Sequence, residues 1–291
     1  MKKVFISLLL CFCMVSVTPA HATSLSLASK YAYVYDVTND QVLYDQKGEN
    51  KIYPASMTKM MCVYTALSLI PNLNKKVTIT KSLIKNKTKY SASLGFIKVG
   101  TKLSYKDLLY GALYPSGADA CWALARNLCG SEKAFVKHMN KEADALGMTD
   151  THFTNTTGLP DTKHVTSCED LSLLMNAGLE NKTWRKVFLA GSYATYHVKG
   201  LTWKSTLDRM RVEDHVLARK EIKGAKSGWT SSAKYCLASV EKIHGHTILI
   251  VTAKGDKNFY KVATKKKAAT ALLDHNRIVD YLKQNGLSVV Q

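Results

Sequence analysis

The segment from Ser56 to Ile70 is apolar on nearly every side. It follows Pro54 and ends before Pro71 and Asn72, and prolines at such positions are typical of helix boundaries. A helix that is apolar all round cannot lie on a protein surface, because other elements must cover each of its sides. The sequence therefore predicts a central buried helix that the rest of the chain encloses.

Short runs rich in β-forming residues lie towards both ends of the chain. Tyr31 to Val37 and Gln41 to Tyr44, separated by Thr38-Asn39-Asp40, predict a β-hairpin near the N-terminus. Strands return after Ala194, and the predicted runs are Tyr196 to Val198, Ile222 to Trp229, Tyr235 to Val240 and His246 to Ala253. The sheet is therefore built from both ends of the chain.

Helical periodicity fills the middle of the chain. The predicted helices are Tyr105 to Leu113, Asp119 to Leu128, Glu132 to Leu146 and Cys168 to Ala177. The pattern from Lys261 to Asn285 predicts an amphipathic helix at the end of the chain. We predict a single α/β domain over residues 23–291, in which a helical lobe of about residues 72–190 is inserted into a sheet-containing lobe, with a groove where the two meet.

The N-terminus has the pattern of a secretory signal peptide. Lys2 and Lys3 precede an apolar stretch from Val4 to Val17, and Ala20-His21-Ala22 is a small-x-small cleavage site. The stretch is shorter than the roughly 20 residues that a bilayer core needs, which disfavours an uncleaved anchor. We predict that residues 1–22 are removed and that the protein is exported, either to remain with the cell wall or to be secreted.

The chain is strongly basic, with a formal net charge of +19. Without Lys2 and Lys3 the 41 basic residues become 39, and 39 − 22 gives +17. Such a surface attracts polyanions. Because the signal peptide directs the protein out of the cytoplasm, we expect contact with anionic wall polymers or lipid headgroups and none with nucleic acid. A basic surface that only confers solubility is the alternative.

The cysteines and histidines point to neither disulfides nor metal. The cysteines that follow the predicted cleavage site are Cys62, Cys121, Cys129, Cys168 and Cys236. Their number is odd and none has a zinc-like or redox CxxC spacing. Cys121 and Cys129 would lie roughly 12 Å apart along a helix, too far for a disulfide. Buried free thiols are expected. His244-Gly245-His246 lies in a predicted hairpin turn, and we expect no metal or other cofactor.

Ser56 and Lys59 form the first candidate catalytic pair. Positions i and i+3 of a helix place two side chains on the same face, so the lysine can reach the serine hydroxyl. Serine is a weak nucleophile until a base takes its proton, and lysine can serve as that base only when burial and nearby cations lower its pKa. The spacing alone also fits a helix cap followed by a surface lysine. The apolar helix argues against that reading, since an unpaired buried lysine is costly.

Two further motifs follow in the order that such chemistry requires. Ser116, in Pro115-Ser116-Gly117, lies at the boundary of two predicted helices, where it could also be an ordinary helix cap. Lys226-Ser227-Gly228-Trp229 lies on a predicted strand, where the glycine would let a ligand backbone come close. The three motifs together have the form S-x-x-K, S-G-x and K-[ST]-G.

With these motifs the sequence resembles the serine penicillin-binding proteins and β-lactamases. It is most similar to the low-molecular-weight D-alanyl-D-alanine carboxypeptidases of the S11 peptidase family. Pro54-Ala55-Ser56, His152-Phe153-Thr154-Asn155 and Gly158-Leu159-Pro160-Asp161 extend the similarity over nearly the whole mature chain. The resemblance implies a serine β-lactamase/DD-peptidase-like fold, with a mostly antiparallel sheet flanked by helices.

The resemblance also implies an activity and a role for each motif. The enzyme would remove the terminal D-alanine of peptidoglycan stem peptides, with Ser56 as nucleophile, Lys59 as general base and Ser116 as proton relay. Lys226 and Ser227 would hold the substrate carboxylate, and the backbone N–H groups of Ser56 and Trp229 would form the oxyanion hole. β-Lactams would acylate the same serine and stall. Lys265 is suggested, from its spacing, to complete the carboxylate site.

One position departs from the family pattern. The second motif usually ends in Asn, and here it ends in Ala118, so an amide that contacts both lysine and substrate is lost. Asp119 is not expected to replace it, because the next residue of a helix points about 100° away. A slower or differently selective enzyme is therefore expected, and a catalytically weak wall-binding protein is one alternative.

A β-lactamase-like hydrolase is the other alternative, although the middle region lacks a Glu-x-x-x-Asn signature for a deacylating water. The family often adds a C-terminal β domain and a membrane-anchoring helix. Neither is expected here, because the sequence stops at Gln291 after its closing helix.

Overall fold

The computed structural model describes residues 25–84, 93–189, 193–260 and 270–289. The predicted signal peptide and Lys265 lie outside these ranges. Within them, no helix combines the length and the apolar character that crossing a bilayer would require.

A five-stranded antiparallel sheet with the order β2-β1-β9-β8-β7 forms the framework. Its strands are β1 (Ser29–Asp36), β2 (Gln41–Gln46), β7 (Ile222–Thr230), β8 (Lys234–Ile243) and β9 (His246–Gly255). The N-terminal hairpin pairs with the last strand of the chain through β1 and β9. The prediction of an antiparallel sheet built from both chain ends is confirmed, and β7 is one of the two edge strands of this sheet.

Helices cover both faces of the sheet. They are α1 (Thr58–Leu69), α2 (Tyr105–Leu113), α3 (Ala118–Cys129), α4 (Glu132–Ala145), α5 (Cys168–Glu180), α6 (Lys182–Phe188), α7 (Thr206–Arg209) and α8 (Thr270–Gln284). On one face α8 packs against β8 and β9, and on the other α5 packs against β1 and β9. Helix α1 contacts the five helices α2 to α6, so the predicted central buried helix is confirmed.

Several elements are shorter or less regular than the sequence pattern suggests. Ser56 lies in a 3-10 turn, Ala55–Met57, that precedes α1. Two small two-stranded antiparallel sheets lie outside the main sheet: β3 (Lys76–Thr78) with β4 (Lys102–Ser104), and β5 (Thr195–Val198) with β6 (Leu201–Lys204). Strand β6 and helix α6 have four and seven residues, too few for periodicity to predict them. The first part of the predicted closing helix, residues 261–269, lies outside the described residues.

The five cysteines of the described chain are free thiols. Four are buried, as predicted, whereas Cys129 is partly exposed. His244 and His246 flank the turn between β8 and β9, where His246 contacts the carboxylate of Asp36 and His244 contacts the carbonyl of Lys283.

Candidate active site

Ser56 and Lys59 face each other at the start of the central helix. The 3-10 turn holds Ser56, and α1 begins two residues later, so the two side chains lie one turn apart. Lys59 Nζ lies 2.8 Å from Ser56 Oγ, and the lysine is 1% exposed. A neutral amine at this distance can accept the hydroxyl proton directly.

Burial makes Lys59 a weaker base than a surface lysine. It lowers the lysine pKa to about 8, an effect opposed by the Cys121 and Cys62 thiols and reinforced by Arg209. Nζ also donates a 2.8 Å hydrogen bond to the carbonyl of Thr157. That bond holds the amine in place without adding a carboxylate, which would have stabilised the charged form.

The loop that carries Thr157 is organised by Asn155. Its Oδ1 accepts hydrogen bonds from the backbone N–H groups of Thr157, Gly158 and Leu159 at 3.1, 2.8 and 3.1 Å. Gly158 has a φ of +82°, and a Cβ there would lie 1.7 Å from the carbonyl oxygen of Ala55. Only glycine lets this loop press against the turn that holds Ser56.

Ser116 lies in the turn between α2 and α3 and lines the same cavity as Ser56 and Lys59. It is a non-glycine residue in the left-handed region, with a φ of +58°, and is 3% exposed. Its Oγ has no hydrogen-bond partner among the described residues. Backbone strain together with a buried unpaired hydroxyl is typical of functional positions.

Ala118 begins α3 and is fully buried, and Asp119 turns away from the cavity. The Asp119 carboxylate accepts hydrogen bonds from the backbone N–H groups of Gly95 and Ile97 at 2.7 and 3.0 Å. It therefore organises the neighbouring loop, in agreement with the expectation that it does not replace the missing amide.

Strand β7 supplies the opposite wall of the cavity with Ser227, Gly228 and Trp229. Behind it, Lys226 is fully buried and donates a 2.7 Å hydrogen bond to the carbonyl of Ser227. Burial first, and then the charges of Lys59 and Arg209, hold the pKa of Lys226 well below its usual value.

Gly228 permits a close approach, but to a different partner from the one expected. A Cβ there would lie 2.8 Å from the Pro54 carbonyl oxygen and 3.1 Å from the Ser56 nitrogen. The glycine thus brings β7 against the protein's own Ser56 turn, whereas the sequence suggested a ligand backbone. As a result, the two backbone segments that carry the Ser56 and Trp229 N–H groups are adjacent.

Arg209 is the one cavity residue of obvious chemical importance that the sequence did not single out. It ends α7, burial lowers its pKa, and its Nε has no hydrogen-bond partner among the described residues. No sequence motif distinguishes it from Arg211 two residues later, which is exposed and pairs with Asp208. It lies at the boundary between α7 and the π-helical turn Met210–Asp214.

The cavity that these residues line has a volume of about 260 Å³. Three basic side chains interact at this site: the charge of Arg209 lowers the pKa of Lys59, and the charges of Lys59 and Arg209 lower the pKa of Lys226. The arrangement can hold an anionic group beside a serine that has a basic partner.

Together the fold and the site define a serine acyl-transfer enzyme of the penicillin-binding type. The chain belongs to the D-alanyl-D-alanine carboxypeptidase family of S11 peptidases, whose sequence profile matches residues 16–257. The family resemblance and the fold class predicted from the sequence are both confirmed.

Two relatives illustrate the similarity. The chain is 30% identical to the D-alanyl-D-alanine carboxypeptidase DacF of Bacillus subtilis over 268 residues, which cover 86% of this chain and 66% of DacF. It is 29% identical to a D-alanyl-D-alanine carboxypeptidase of Streptomyces sp. strain K15, over 80% of this chain and 83% of that protein. The chain therefore spans about two thirds of the length of DacF and more of the Streptomyces protein.

Solved structures agree with this assignment. The crystal structure of the Streptomyces K15 DD-transpeptidase superposes with a TM-score of 0.75 at 26% identity, covering 89% of this chain and 98% of that one. A D-alanyl-D-alanine carboxypeptidase from Mycobacterium tuberculosis shares the fold, with a TM-score of 0.73 at 23% identity and coverages of 91% and 95%. These comparisons do not favour the β-lactamase-like or wall-binding alternatives.

Proposed function

We propose that the protein is a serine-type D-Ala-D-Ala carboxypeptidase that removes the terminal D-alanine of peptidoglycan stem peptides. The observation that carries this proposal is the 2.8 Å contact between Ser56 Oγ and the buried Nζ of Lys59. Membership of the family supports the reaction type.

In the acylation step, neutral Lys59 takes the proton of Ser56, and Oγ attacks the carbonyl carbon of the penultimate D-alanine. The N–H groups of Ser56 and Trp229 stabilise the oxyanion. Ser116 relays the proton from Lys59 to the amine of the departing D-alanine, so the peptide bond breaks as the ester forms. Water then attacks the ester, with Lys59 again as base, and releases the shortened peptide.

The substrate carboxylate is assigned to the cationic side of the cavity. Lys226 and Ser227 bind it, as the family resemblance implies, and Arg209 is our candidate for the additional cation. The support is that Arg209 lines the same cavity and that its buried Nε has no hydrogen-bond partner among the described residues. A carboxylate would give that group a charge-assisted partner. The earlier suggestion of Lys265 falls outside the described residues.

β-Lactams should follow the same route and remain as a stable acyl-enzyme. The predicted signal peptide and the basic surface support an exported protein that works at the wall and contacts its anionic polymers. A contribution to cell shape would follow from trimming the stem peptides. The absence of an amide at Ala118 supports a rate or selectivity that differs from family members with Asn at this position.

Mass spectrometry of the intact protein after benzylpenicillin treatment tests the proposal. We expect one adduct, which peptide mapping places on Ser56, and D-alanine release from diacetyl-Lys-D-Ala-D-Ala. Ser56→Ala should lose both, whereas Ser68→Ala, an exposed serine near the end of the same helix, should keep both. An adduct on another residue, or undiminished release by Ser56→Ala, would refute the proposal.

A further inference from the structure

A second cavity, of about 600 Å³, lies next to the active-site cavity. Trp229 and Tyr235 line both cavities. The two residues pair across β7 and β8, and their ring centroids are 6.4 Å apart. Trp229 is 59% exposed. The aromatic pair therefore forms a surface, shared by the two cavities, over which a bound ligand could extend from one cavity into the other.

The second cavity is basic. Lys30, Lys234, Lys254 and Lys257 line it, against the single lining carboxylate of Asp256. None of these four lysines forms an ion pair within the described part of the chain, and all are exposed. Asp256 uses its carboxylate to accept a hydrogen bond from the backbone N–H of Asn258. The lining therefore has an excess of positive charge that no described side chain neutralises.

Two of the lysines occupy backbone positions that other residues would fill with less strain. Lys234 and Lys254 have φ values of +58° and +57°, in the left-handed region where glycine and asparagine are favoured. Lys254 lies where the pairing of β8 with β9 is irregular, since Tyr235 pairs with Gly255 but Leu237 pairs with Thr252. Bulges of this kind redirect a side chain, and strained non-glycine residues cluster at functional sites.

The direction of the substrate follows from the proposed function, on which this inference rests. With the terminal carboxylate at Lys226 and Ser227 and the scissile carbonyl at Trp229, the peptide runs antiparallel to the edge strand β7. The residues before the scissile bond then pass Thr230 towards the end of β7. The lysine-lined cavity begins there, at Trp229 and Ser231.

We propose that the lysine-lined cavity binds a carboxylate in the part of the stem peptide that precedes the scissile bond. It thereby selects peptides whose third residue bears a side-chain carboxylate, as diaminopimelate does, over peptides with lysine at that position. Both side chains end in an ammonium, which meets like charge in this cavity, but only diaminopimelate adds a carboxylate, which meets several cations.

A competing site lies on the other side of Thr230. This cavity of about 170 Å³ is lined by Tyr53, Pro54, Leu159, Pro160 and Asp161, among others. Its apolar walls and the Asp161 carboxylate would suit a lysine side chain. The two cavities therefore predict opposite preferences, which makes the choice between them measurable.

The test compares two pentapeptides, L-Ala-γ-D-Glu-X-D-Ala-D-Ala, in which X is meso-diaminopimelate or L-lysine. They differ by one carboxylate on the side chain of X. We expect wild type to have the higher kcat/KM for D-alanine release from the diaminopimelate peptide. The double variant K234Q/K254Q should reduce this preference roughly fivefold, since exposed ion pairs are individually weak. The charge-matched control K137Q/K141Q, on the exposed face of α4, should keep it.

Acylation by benzylpenicillin, whose side chain is uncharged, distinguishes a failure of this inference from a failure of the proposed function. An unchanged peptide preference in K234Q/K254Q, with normal acylation, would overturn the inference and leave the proposed function intact. If K234Q/K254Q is not acylated, the variant K30Q/K257Q replaces it under the same criterion. If even wild type neither reacts with penicillin nor releases D-alanine, the proposed function fails.

Binding gives a readout that does not depend on turnover. Calorimetry with Ser56→Ala should show tighter binding of the diaminopimelate peptide, and this difference should shrink roughly fivefold when K234Q/K254Q is added. Tighter binding of the lysine peptide, lost in Asp161→Asn, would overturn the inference. The inference would also be overturned if K234Q/K254Q lost affinity for poly(glycerol phosphate) but kept the same peptide preference.

Discussion

The pKa of the Lys59 amine, which decides whether the lysine can act as a base, is set by opposing influences. Burial lowers its pKa to about 8, two neighbouring thiols raise it, and the charge of Arg209 lowers it further. A base must be unprotonated to accept the proton of Ser56. The reactive fraction of the protein therefore falls as the pH drops below the pKa of Lys59.

Acylation by a fluorescent penicillin should accordingly depend on pH. We expect the second-order rate constant to rise about tenfold per pH unit up to pH 8 or so and then to level off, because Lys59 loses its proton over that range. Rates measured from pH 5.5 to 9.5 would show this directly. A flat profile below pH 8 would mean that Lys59 is not the base.

Removing the charge of Arg209 should move this profile. Arg209→Gln takes a cation away from Lys59 and Lys226, so the lysine holds its proton more tightly and the rise shifts to higher pH. At pH 7 the acylation rate should fall roughly two- to fivefold. Arg209→Lys keeps the charge and should keep the midpoint. An unshifted midpoint in the glutamine variant would rule out the electrostatic role.

Sequence reasoning found the residues that belong to short local motifs and missed the one that does not. Ser56 with Lys59, Ser116, and Lys226 with Ser227 each carry a recognisable spacing. Ser56, Lys59, Ser116 and Ser227 line one cavity, and Lys226 lies buried behind it with a hydrogen bond to the Ser227 carbonyl. Arg209 reaches the same cavity from the end of the short helix α7. Nothing in the order of residues distinguishes it from Arg211, so only the folded chain identifies it.

Among the elements, the turn that holds Ser56 is confined from two sides by glycines. Gly158 meets the carbonyl of Ala55, and Gly228 meets the carbonyl of Pro54. Neither contact leaves room for a side chain. The geometry of the nucleophile therefore depends on a loop and a strand that come from distant parts of the chain.

Gly158→Ala should be strongly destabilising and should impair acylation. The new Cβ would lie 1.7 Å from the Ala55 oxygen at a φ of +82°, so the loop must move and take the Thr157 carbonyl away from Lys59. We expect a loss of more than about 3 kcal/mol in the free energy of unfolding, measured with denaturant.

Gly147→Ala is the matched control for that substitution. Gly147 has a φ of +75° but no atom within 4 Å of its added Cβ. The control should cost only about 1 kcal/mol, the strain of the left-handed conformation, and should acylate normally. Equal losses in the two variants would show that backbone strain, and not the contact with the Ser56 turn, is what matters.

Long periodic elements were predictable and short ones were not. The N-terminal hairpin, α1 and α2 to α5 follow the patterns of periods 2 and 3.6 that strands and helices impose. Strand β6 and helix α6 are held by their neighbours, and the 3-10 turn at Ser56 is set by tertiary contacts. Local sequence contains little information about such elements. The predicted lobe boundaries, about residues 72 and 190, stay a prediction.

The molecule as a whole is a strongly basic protein whose proposed place of work is an anionic wall. Its formal net charge is +19, or +17 after removal of Lys2 and Lys3 from the predicted signal peptide. Attraction of this kind is long-ranged at low salt and short-ranged at high salt.

The mature chain should therefore bind immobilised poly(glycerol phosphate) at 0.05 M NaCl and elute well below 1 M, where the screening length is roughly 3 Å. Ser56→Ala should elute with wild type, because the substitution leaves the charge unchanged. Chemical acetylation of the lysines should abolish retention. Retention that persists at 1 M NaCl would mean that contacts other than charge hold the polymer.

The cluster of Lys59, Lys226 and Arg209 has a further consequence for inhibitor design. Burial lowers the pKa of each of these groups, and the charges of Lys59 and Arg209 lower the pKa of Lys226 further, so the groups repel one another when they are protonated. A compound with an acid group relieves that repulsion when it binds, whereas a neutral compound aimed at Ser56 leaves it in place. An uncharged inhibitor of Ser56 therefore needs another source of binding energy. The adjoining aromatic surface of Trp229 and Tyr235 can supply it.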